Sequence, residues 1–404
     1  MTVRSIRASL IEGFDGIVCD LDGVIYRGHR AVPHATESLS AALAAGVRVV
    51  YATNNASRSP DEVAVHLETL GLPGPGSRVV TSAQAGARHL AQHAPAGSRV
   101  LAIGGPGVCL ALSEAGLVPV RAQESSQEAA QTAAQANAPG VIQHAAPASS
   151  QHAAPASSQY AAPASSRPGA PAGRPDGAVV AVLQGYGAQV GWTDLAEAAY
   201  AVQAGALWVA TNIDSTLPTD RGLAPGNGAL VGAVRQAVNA DPVVVGKPHT
   251  PLYELSVSVL GTSVERTLAI GDRLDTDIKG AITAGLDSLF VFGGVDGWAD
   301  VARAEEGSRP RYIATDLRSL HAGYSEPAQD LGDASRWVCG KAQASVSESG
   351  DLIVSQAGGL NERLRAALAA LWHAGDSRGQ LVDPRSGDGA ALSDELELAL
   401  GQQS

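Results

Sequence analysis

The sequence predicts an α/β protein: a doubly wound parallel-sheet core, an inserted α/β domain, and a small C-terminal α+β domain. Three observations carry that expectation. Four short apolar runs each end directly in a polar residue able to do chemistry, which is how a buried parallel strand reads. They are Gly16 to Cys19 before Asp20, Val47 to Ala52 before Thr53, Val243 to Val245 before Gly246-Lys247, and Thr267 to Ile270 before Gly271-Asp272. Amphipathic helical patterns lie between or after these runs, as at Ser59 to Leu70 and Pro251 to Leu260, giving the alternation of a doubly wound sheet. The interval from Thr53 to Lys247 is far longer than one crossover needs, so a folded insert belongs there.

Taken in order, residues 1–81 and 243–322 form the expected core, and residues 82–242 form the insert. The insert has strand-like runs at Arg99 to Ile103 and Ala178 to Leu183, helical patterns at Gly107 to Ala115 and Thr193 to Ala204, and a second strand end at Thr211-Asn212. Ile103-Gly-Gly-Pro-Gly107 lacks the spaced glycines and the lysine of a nucleotide loop and reads as a strand-to-helix turn. Within the insert, Gln143-His144-Ala-Ala-Pro-Ala-Ser-Ser recurs at Gln151 and, with Tyr160 in place of His152, at Gln159. Such a composition cannot bury a core, so 123–176 is expected to be a disordered loop, with His144 and His152 solvated rather than metal-bound. After Gly323 a polar linker leads to residues 335–404, with strands expected at Trp337 to Cys339 and Asp351 to Val354 and a helix at Asn361 to His373. This segment carries no catalytic motif, which leaves regulation, homo-oligomer formation and simple stabilisation as roles.

Composition excludes several function classes. The chain of 404 residues has a formal charge of −12 and no Lys/Arg run, so nucleic acid is not an expected partner. No apolar stretch approaches the roughly 18 residues of a membrane span, and the N-terminus lacks an apolar signal core. Cys19, Cys109 and Cys339 are too few and scattered for a disulfide framework; buried thiols and a cytoplasmic location are expected.

The chemistry concentrates at the strand ends. In Asp20-Leu21-Asp22-Gly23, a period of two lets both carboxylates face one side, and the glycine permits a sharp turn. Cys19, pointing the other way, is a core residue. Gly271-Asp272-Arg-Leu-Asp275-Thr-Asp277 adds carboxylates at another strand end, and so much negative charge requires a cation. Hard oxygen ligands joined by a substrate phosphate select Mg2+. A single Asp at a strand end is ordinarily a turn former or helix cap. That reading does not cover four clusters in order with Lys247 among them. Ligands of such sheets bind beyond the carboxyl ends of the strands, so Asp20, Thr53, Lys247 and Asp272 are expected to meet.

These residues resemble a known family. Asp20-Leu-Asp-Gly-Val-Ile-Tyr-Arg-Gly28, Thr53-Asn54-Asn55-Ala-Ser-Arg-Ser, Gly246-Lys247-Pro248-His-Thr-Pro-Leu-Tyr253 and Gly271-Asp272-Arg-Leu-Asp-Thr-Asp277-Ile are similar to the four motifs of haloacid-dehalogenase-like phosphatases. Their spacing resembles the subgroup with a large α/β cap between motifs two and three, which includes NagD-like, p-nitrophenyl phosphatase-like and pyridoxal phosphate phosphatase-like enzymes. The resemblance implies Asp20 as nucleophile and metal ligand, and Asp22 as general acid and base with its backbone carbonyl on the metal. Asp272 then completes the direct metal set, and Asp277 lies nearby to fix the metal's waters. Thr53, Asn54, Asn55 and Lys247 would hold the phosphoryl group. In the cap, Asn212 and Asp214 would be either turn formers or substrate contacts. A folded lid implies a small phosphorylated metabolite rather than a phosphoprotein. The appended C-terminal segment narrows the resemblance to actinobacterial glycerol-3-phosphate phosphatases, with sugar phosphates, nucleotides and pyridoxal 5'-phosphate as alternative substrates. A phosphometabolite sensor without turnover is the non-enzymatic alternative.

Overall fold

The computed structural model describes residues 9–28, 30–72, 78–127, 177–219 and 221–401. The octapeptide repeat, with His144 and His152, lies outside these residues. Helical structure continues over 122–127, past the expected start of the loop, and the Ser125 and Ser126 hydroxyls each donate to the Glu197 carboxylate at 2.8 Å.

The core is a six-stranded, wholly parallel sheet in the order Tyr312–Ala314, Asp287–Val291, Thr267–Gly271, Gly16–Cys19, Arg48–Thr53, Val79–Thr81. Alternation along each strand builds two layers of core. Ile17, Cys19, Val49, Tyr51, Leu268 and Ile270 pack into one cluster, while Val18, Val50, Ala52 and Ala269 pack into the other, so each strand is buried on both faces. Cys19 is fully buried, as expected of a core thiol. The helix Pro60–Thr69 begins where Ser59 closes a capping box: its side chain accepts from the Glu62 backbone, and Glu62 accepts from the Ser59 N–H at 2.7 Å. That cap ends the loop running from Thr53 and fixes its length.

The insert has its own five-stranded parallel sheet, in the order Val243–Val244, Leu207–Ala210, Ala181–Gln184, Arg99–Ile103, Val118–Val120. This corrects one expectation. The Val243 to Val245 run does not enter the core sheet; it pairs with Leu207–Ala210, and Val245 donates to the Ala210 carbonyl at 3.1 Å. Both sheets are parallel and end in polar clusters, so a three-valine run cannot reveal which one it joins. The chain crosses back immediately afterwards, because the helix Thr250–Leu260 buries Leu252, Tyr253 and Leu260 against the core layer.

The C-terminal region is an antiparallel sheet of Ala328–Gln329, Arg336–Cys339, Ala342–Val346 and Leu352–Val354, covered by the helix Leu360–Arg378 and followed by the helix Gly389–Gly401. Its apolar face is continuous with the core: Cys339, Leu364 and Leu368 share one buried cluster with Phe290, Phe292, Trp298 and Val301. Polar ties cross the same seam. The buried Arg365 donates to the Ile313 carbonyl at 2.8 Å and lies 3.7 Å over the Tyr324 ring. Among the described residues, no helix is long and apolar enough to cross a membrane.

Candidate active site

Parallel strands deliver their carboxyl ends to one edge, and three of the four expected strand ends meet there directly. Asp20 is registered by its N–H, which donates to the Ile270 carbonyl at 2.9 Å, so the first and fourth motifs are locked side by side. Lys247 arrives from the returning chain. Its ammonium is buried, contacts the Asp20 carboxylate, and reaches Asp277 Oδ1 at 2.8 Å and the Ala52 carbonyl at 3.2 Å. The Asp20 and Asp277 carboxylates hold this lysine protonated, raising its pKa well above the usual value even though burial pulls the other way.

Asp20, Asp272 and Asp277 each place a carboxylate oxygen within 4.8 Å of the others. Three anions in one buried pocket repel. Burial, reinforced by Asp277, Asp272 and Asp22, lifts Asp20 well above the carboxylate range despite Lys247. Burial and then Asp277 push Asp272 up to about 7. Asp272 is fully buried, its Oδ2 accepts from the Val295 N–H at 2.7 Å, and its Oδ1 has no hydrogen-bond partner. An orphaned carboxylate oxygen facing two other carboxylates fits a hard divalent cation, and the all-oxygen donor set fits Mg2+. Backbone is packed tightly around that oxygen pair: a Cβ on Gly23 would lie 2.2 Å from Asp272 Oδ2 and one on Gly294 1.7 Å from it.

Asp22 differs from its neighbours. Its carboxylate opens towards solvent, and among the described residues nothing hydrogen-bonds it. The surrounding protein still withdraws enough water to raise its pKa, with Lys247 and then Arg58 pulling it back down. An unbonded carboxyl with a raised pKa is suited to giving up and retrieving a proton.

The remaining expected residues divide. Thr53 is buried, and its Oγ1 accepts from the Asn55 N–H at 3.0 Å, which leaves its own proton to donate. Asn55 turns its carboxamide oxygen onto Ser57, accepting from the N–H at 3.0 Å and the hydroxyl at 2.7 Å. Asn54 is a clamp: it accepts from the Lys247 N–H at 2.8 Å and donates to the Lys247 carbonyl at 3.0 Å and to Asp214 at 3.3 Å. It therefore fixes the lysine's backbone, and its side chain has little left for phosphate. Asn212 donates to the Asn54 carbonyl at 2.7 Å and accepts from the Asp214 N–H at 3.2 Å, so turn chemistry accounts for it. Asn212→Ala is expected to lower stability by about 1–2 kcal/mol, the cost of leaving its part-buried partners unsatisfied. KM should change less than about twofold; a large KM increase with an unchanged melting temperature would restore the substrate-contact reading. Asp277 is more engaged than expected, since its second oxygen accepts from the Arg273 N–H at 3.2 Å while the first holds Lys247. The expectation missed Gly294, Val295 and Asp296. Their signal was the glycine-rich end of the apolar Ser288 to Phe292 run, a fifth strand end.

Residues 17–118 match a family model described as haloacid dehalogenase-like hydrolase, and residues 244–320 match a second, HAD-hydrolase-like model. The chain is 38% identical over 374 residues to a D-glycerol 3-phosphate phosphatase of Mycobacterium tuberculosis, covering 91% of this chain and 88% of that one. The chain belongs to the haloacid dehalogenase-like hydrolases. Within this family it is also 30% identical to the 5'-nucleotidase YutF of Bacillus subtilis, across 70% of this chain and 90% of that protein. Among solved structures, a glycerol phosphate phosphatase from Mycobacterium tuberculosis in complex with magnesium superposes with a TM-score of 0.69 at 36% identity, covering 91% of this chain and 92% of that one. A coverage of 91% leaves too few residues unmatched to omit the whole C-terminal region, so that region has a counterpart in the mycobacterial structure.

Proposed function

We propose that this hydrolase is a Mg2+-dependent phosphatase that cleaves small phosphate monoesters through an aspartyl-phosphate on Asp20, and that glycerol 3-phosphate is its substrate. The observation that carries the chemistry is the buried Lys247 ammonium bound to Asp20 and Asp277 beside the partnerless Asp272 Oδ1. The substrate rests on likeness to the mycobacterial glycerol phosphate phosphatase along nearly the whole chain. In the first displacement a carboxylate oxygen of Asp20 attacks phosphorus, the bond to the leaving alkoxide breaks, and the Asp22 carboxyl protonates that alkoxide. In the second, Asp22 takes a proton from water, which attacks phosphorus, frees inorganic phosphate and returns Asp20 to its starting state. Lys247 and the Thr53 hydroxyl face the charge that accumulates on the phosphoryl oxygens during both displacements. Held by Asp20, Asp272 and the backbone carbonyl of Asp22, Mg2+ supplies positive charge that lets two anions, carboxylate and phosphate, approach.

The insert restricts what can enter. The first turn of its helix Pro106–Glu114 lies on the loop that follows Thr53: the Gly107 N–H donates to the Ser57 carbonyl at 3.4 Å, and a Cβ on Gly105 would stand 2.4 Å from that same oxygen. Backbone packed on backbone here favours compact substrates. The free thiols Cys19, Cys109 and Cys339 support a cytoplasmic setting.

The test is phosphate release from a panel of glycerol 3-phosphate, sugar phosphates, nucleoside monophosphates and pyridoxal 5'-phosphate, with Mg2+ and after chelation. Glycerol 3-phosphate with Mg2+ should give the highest kcat/KM, chelation should reduce turnover to background, and restored Mg2+ should recover it. A nucleotide preferred over the other substrates would move the assignment towards the 5'-nucleotidase relative, and binding of every compound without release would leave a sensor.

A further inference from the structure

The loop between the core strand Asp287–Val291 and the helix Trp298–Ala302 is held from two sides. On the side of the site, the Val295 N–H donates to Asp272 Oδ2 at 2.7 Å, the Asp296 N–H donates to the Asp272 carbonyl at 3.3 Å, and Asp296 Oδ2 accepts from the Leu274 N–H at 2.6 Å. Gly294 lies so close to Asp272 that any Cβ would overlap the carboxylate. On the opposite side, the loop meets the C-terminal region. A Cβ on Gly293, whose φ is +107°, would come 2.5 Å from the Arg27 guanidinium and 3.5 Å from a methyl of Leu400. The Trp298 indole, buried at the loop's end, donates to the Pro384 carbonyl at 2.9 Å. Leu400 belongs to the helix Gly389–Gly401, and Pro384 lies just before it.

Between these attachments the loop borders a cavity of about 310 Å³, lined on the far side by Ser393, Leu396, Glu397 and Leu400. Packed on its Asp272 side, the loop faces a cavity on the other and lacks dense packing there. Its support on that side therefore depends on its attachments to the C-terminal region. Val295 N–H is the hydrogen bond that orients Asp272 Oδ2, so whatever moves the loop rotates that carboxylate.

We infer that the C-terminal region is a positioning element for the metal site: through Pro384 on Trp298, and with Leu400 beside Gly293 across the edge of the cavity, it holds residues 293–298 against Asp272. Trp298 and Leu400 are positioning residues, acting through the loop on a carboxylate they do not touch. The inference rests on Asp272 being a Mg2+ ligand, and the experiment separates the two.

Mn2+ binding to metal-free, full-length protein is measured by electron paramagnetic resonance in the absence of substrate, for wild type, Trp298→Phe, Leu400→Ala, Asp376→Asn and Asp272→Asn. Trp298→Phe keeps a smaller aromatic ring and deletes the donor, and Leu400→Ala removes the side chain that lines the cavity beside Gly293. Either should raise the Mn2+ dissociation constant about three- to tenfold, the lower end of what the partners of metal ligands contribute. At saturating Mg2+, kcat and substrate KM should stay within about twofold of wild type. Asp376→Asn breaks the paired hydrogen bonds with Arg309, a tie between the core and the C-terminal region that lies off the loop. It should lower the melting temperature without changing Mn2+ affinity, which a merely structural role for the region would not distinguish from the other two variants. If Trp298→Phe and Leu400→Ala both bind Mn2+ as wild type does while Asp272→Asn does not, the positioning role is overturned and the metal site stands. If Asp272→Asn also binds normally, the ligand assignment fails and the inference fails with it. Leu400→Ala, a truncation on a half-buried helix position, keeps the test open should Trp298→Phe not fold.

Discussion

Asp20→Asn should reduce turnover by at least about 10⁴-fold, since the carboxamide keeps the shape but cannot act as the nucleophile. The expected effect on stability has the opposite sign. Asp20 shares its pocket with Asp272, Asp277 and Asp22, all of which raise its pKa, so neutralising it removes repulsion from three directions. Lys247 keeps its ion pair with Asp277 at 2.8 Å and its bond to the Ala52 carbonyl at 3.2 Å. The variant should therefore melt no lower than wild type and show no acid-stable phosphate trapped on the protein after quenching with substrate. Turnover within about a hundredfold of wild type would remove the covalent route.

Lys247→Met should be damaging on both counts. The ammonium is 4% exposed and binds two carboxylates, so its loss removes the one cation bonded to both Asp20 and Asp277 among the described residues. Breaking a buried pair by removing one partner costs about 3–5 kcal/mol, and loss of a fixed positive charge facing the transferring phosphoryl group costs about 10²- to 10³-fold in kcat. The melting temperature should fall, and Mg2+ should recover part of it by replacing some of the missing charge. Thermal melting with and without Mg2+, alongside steady-state kinetics, reads both effects. A melting temperature equal to wild type in Mg2+-free buffer would show that Lys247 does not balance the cluster. Taken as a pair, the two substitutions act on one ion pair and shift stability in opposite directions, which no general loosening of the pocket would do.

Much of this site was legible because its chemistry is local in sequence. Asp20 with Asp22, and Asp272 with Asp277, each sit within six residues of a strand's end, and a parallel sheet necessarily gathers strand ends along one edge. Lys247 was legible as a site residue while its strand was not, because the sheet a short valine run joins is decided by packing over the whole insert. Asn54 and Asn212 show a related limit of the sequence. An asparagine at a strand end can face a ligand or close a turn, and here the choice is made by partners 193 and 158 positions away. The loop at Gly294 escaped notice because its contribution is a backbone N–H and an absent side chain, neither of which marks a sequence as chemical. The continuity of the C-terminal region with the core was equally hidden, since apolar helix faces declare that they are buried but not against what.

The valine pair at Val243–Val244 binds the insert's sheet, and three residues later Lys247 is inside the active site. The Lys247 ammonium is thus carried in on the insert's sheet rather than on a core strand, and the Asn54 clamp is what holds its backbone against the core. Anyone exchanging lids between relatives to alter substrate choice would transplant this lysine's mooring along with the lid. The graft has to end before Val245 or carry a matched partner for position 54, because a seam placed through the return crossing would change the reaction while aiming only to change its guest.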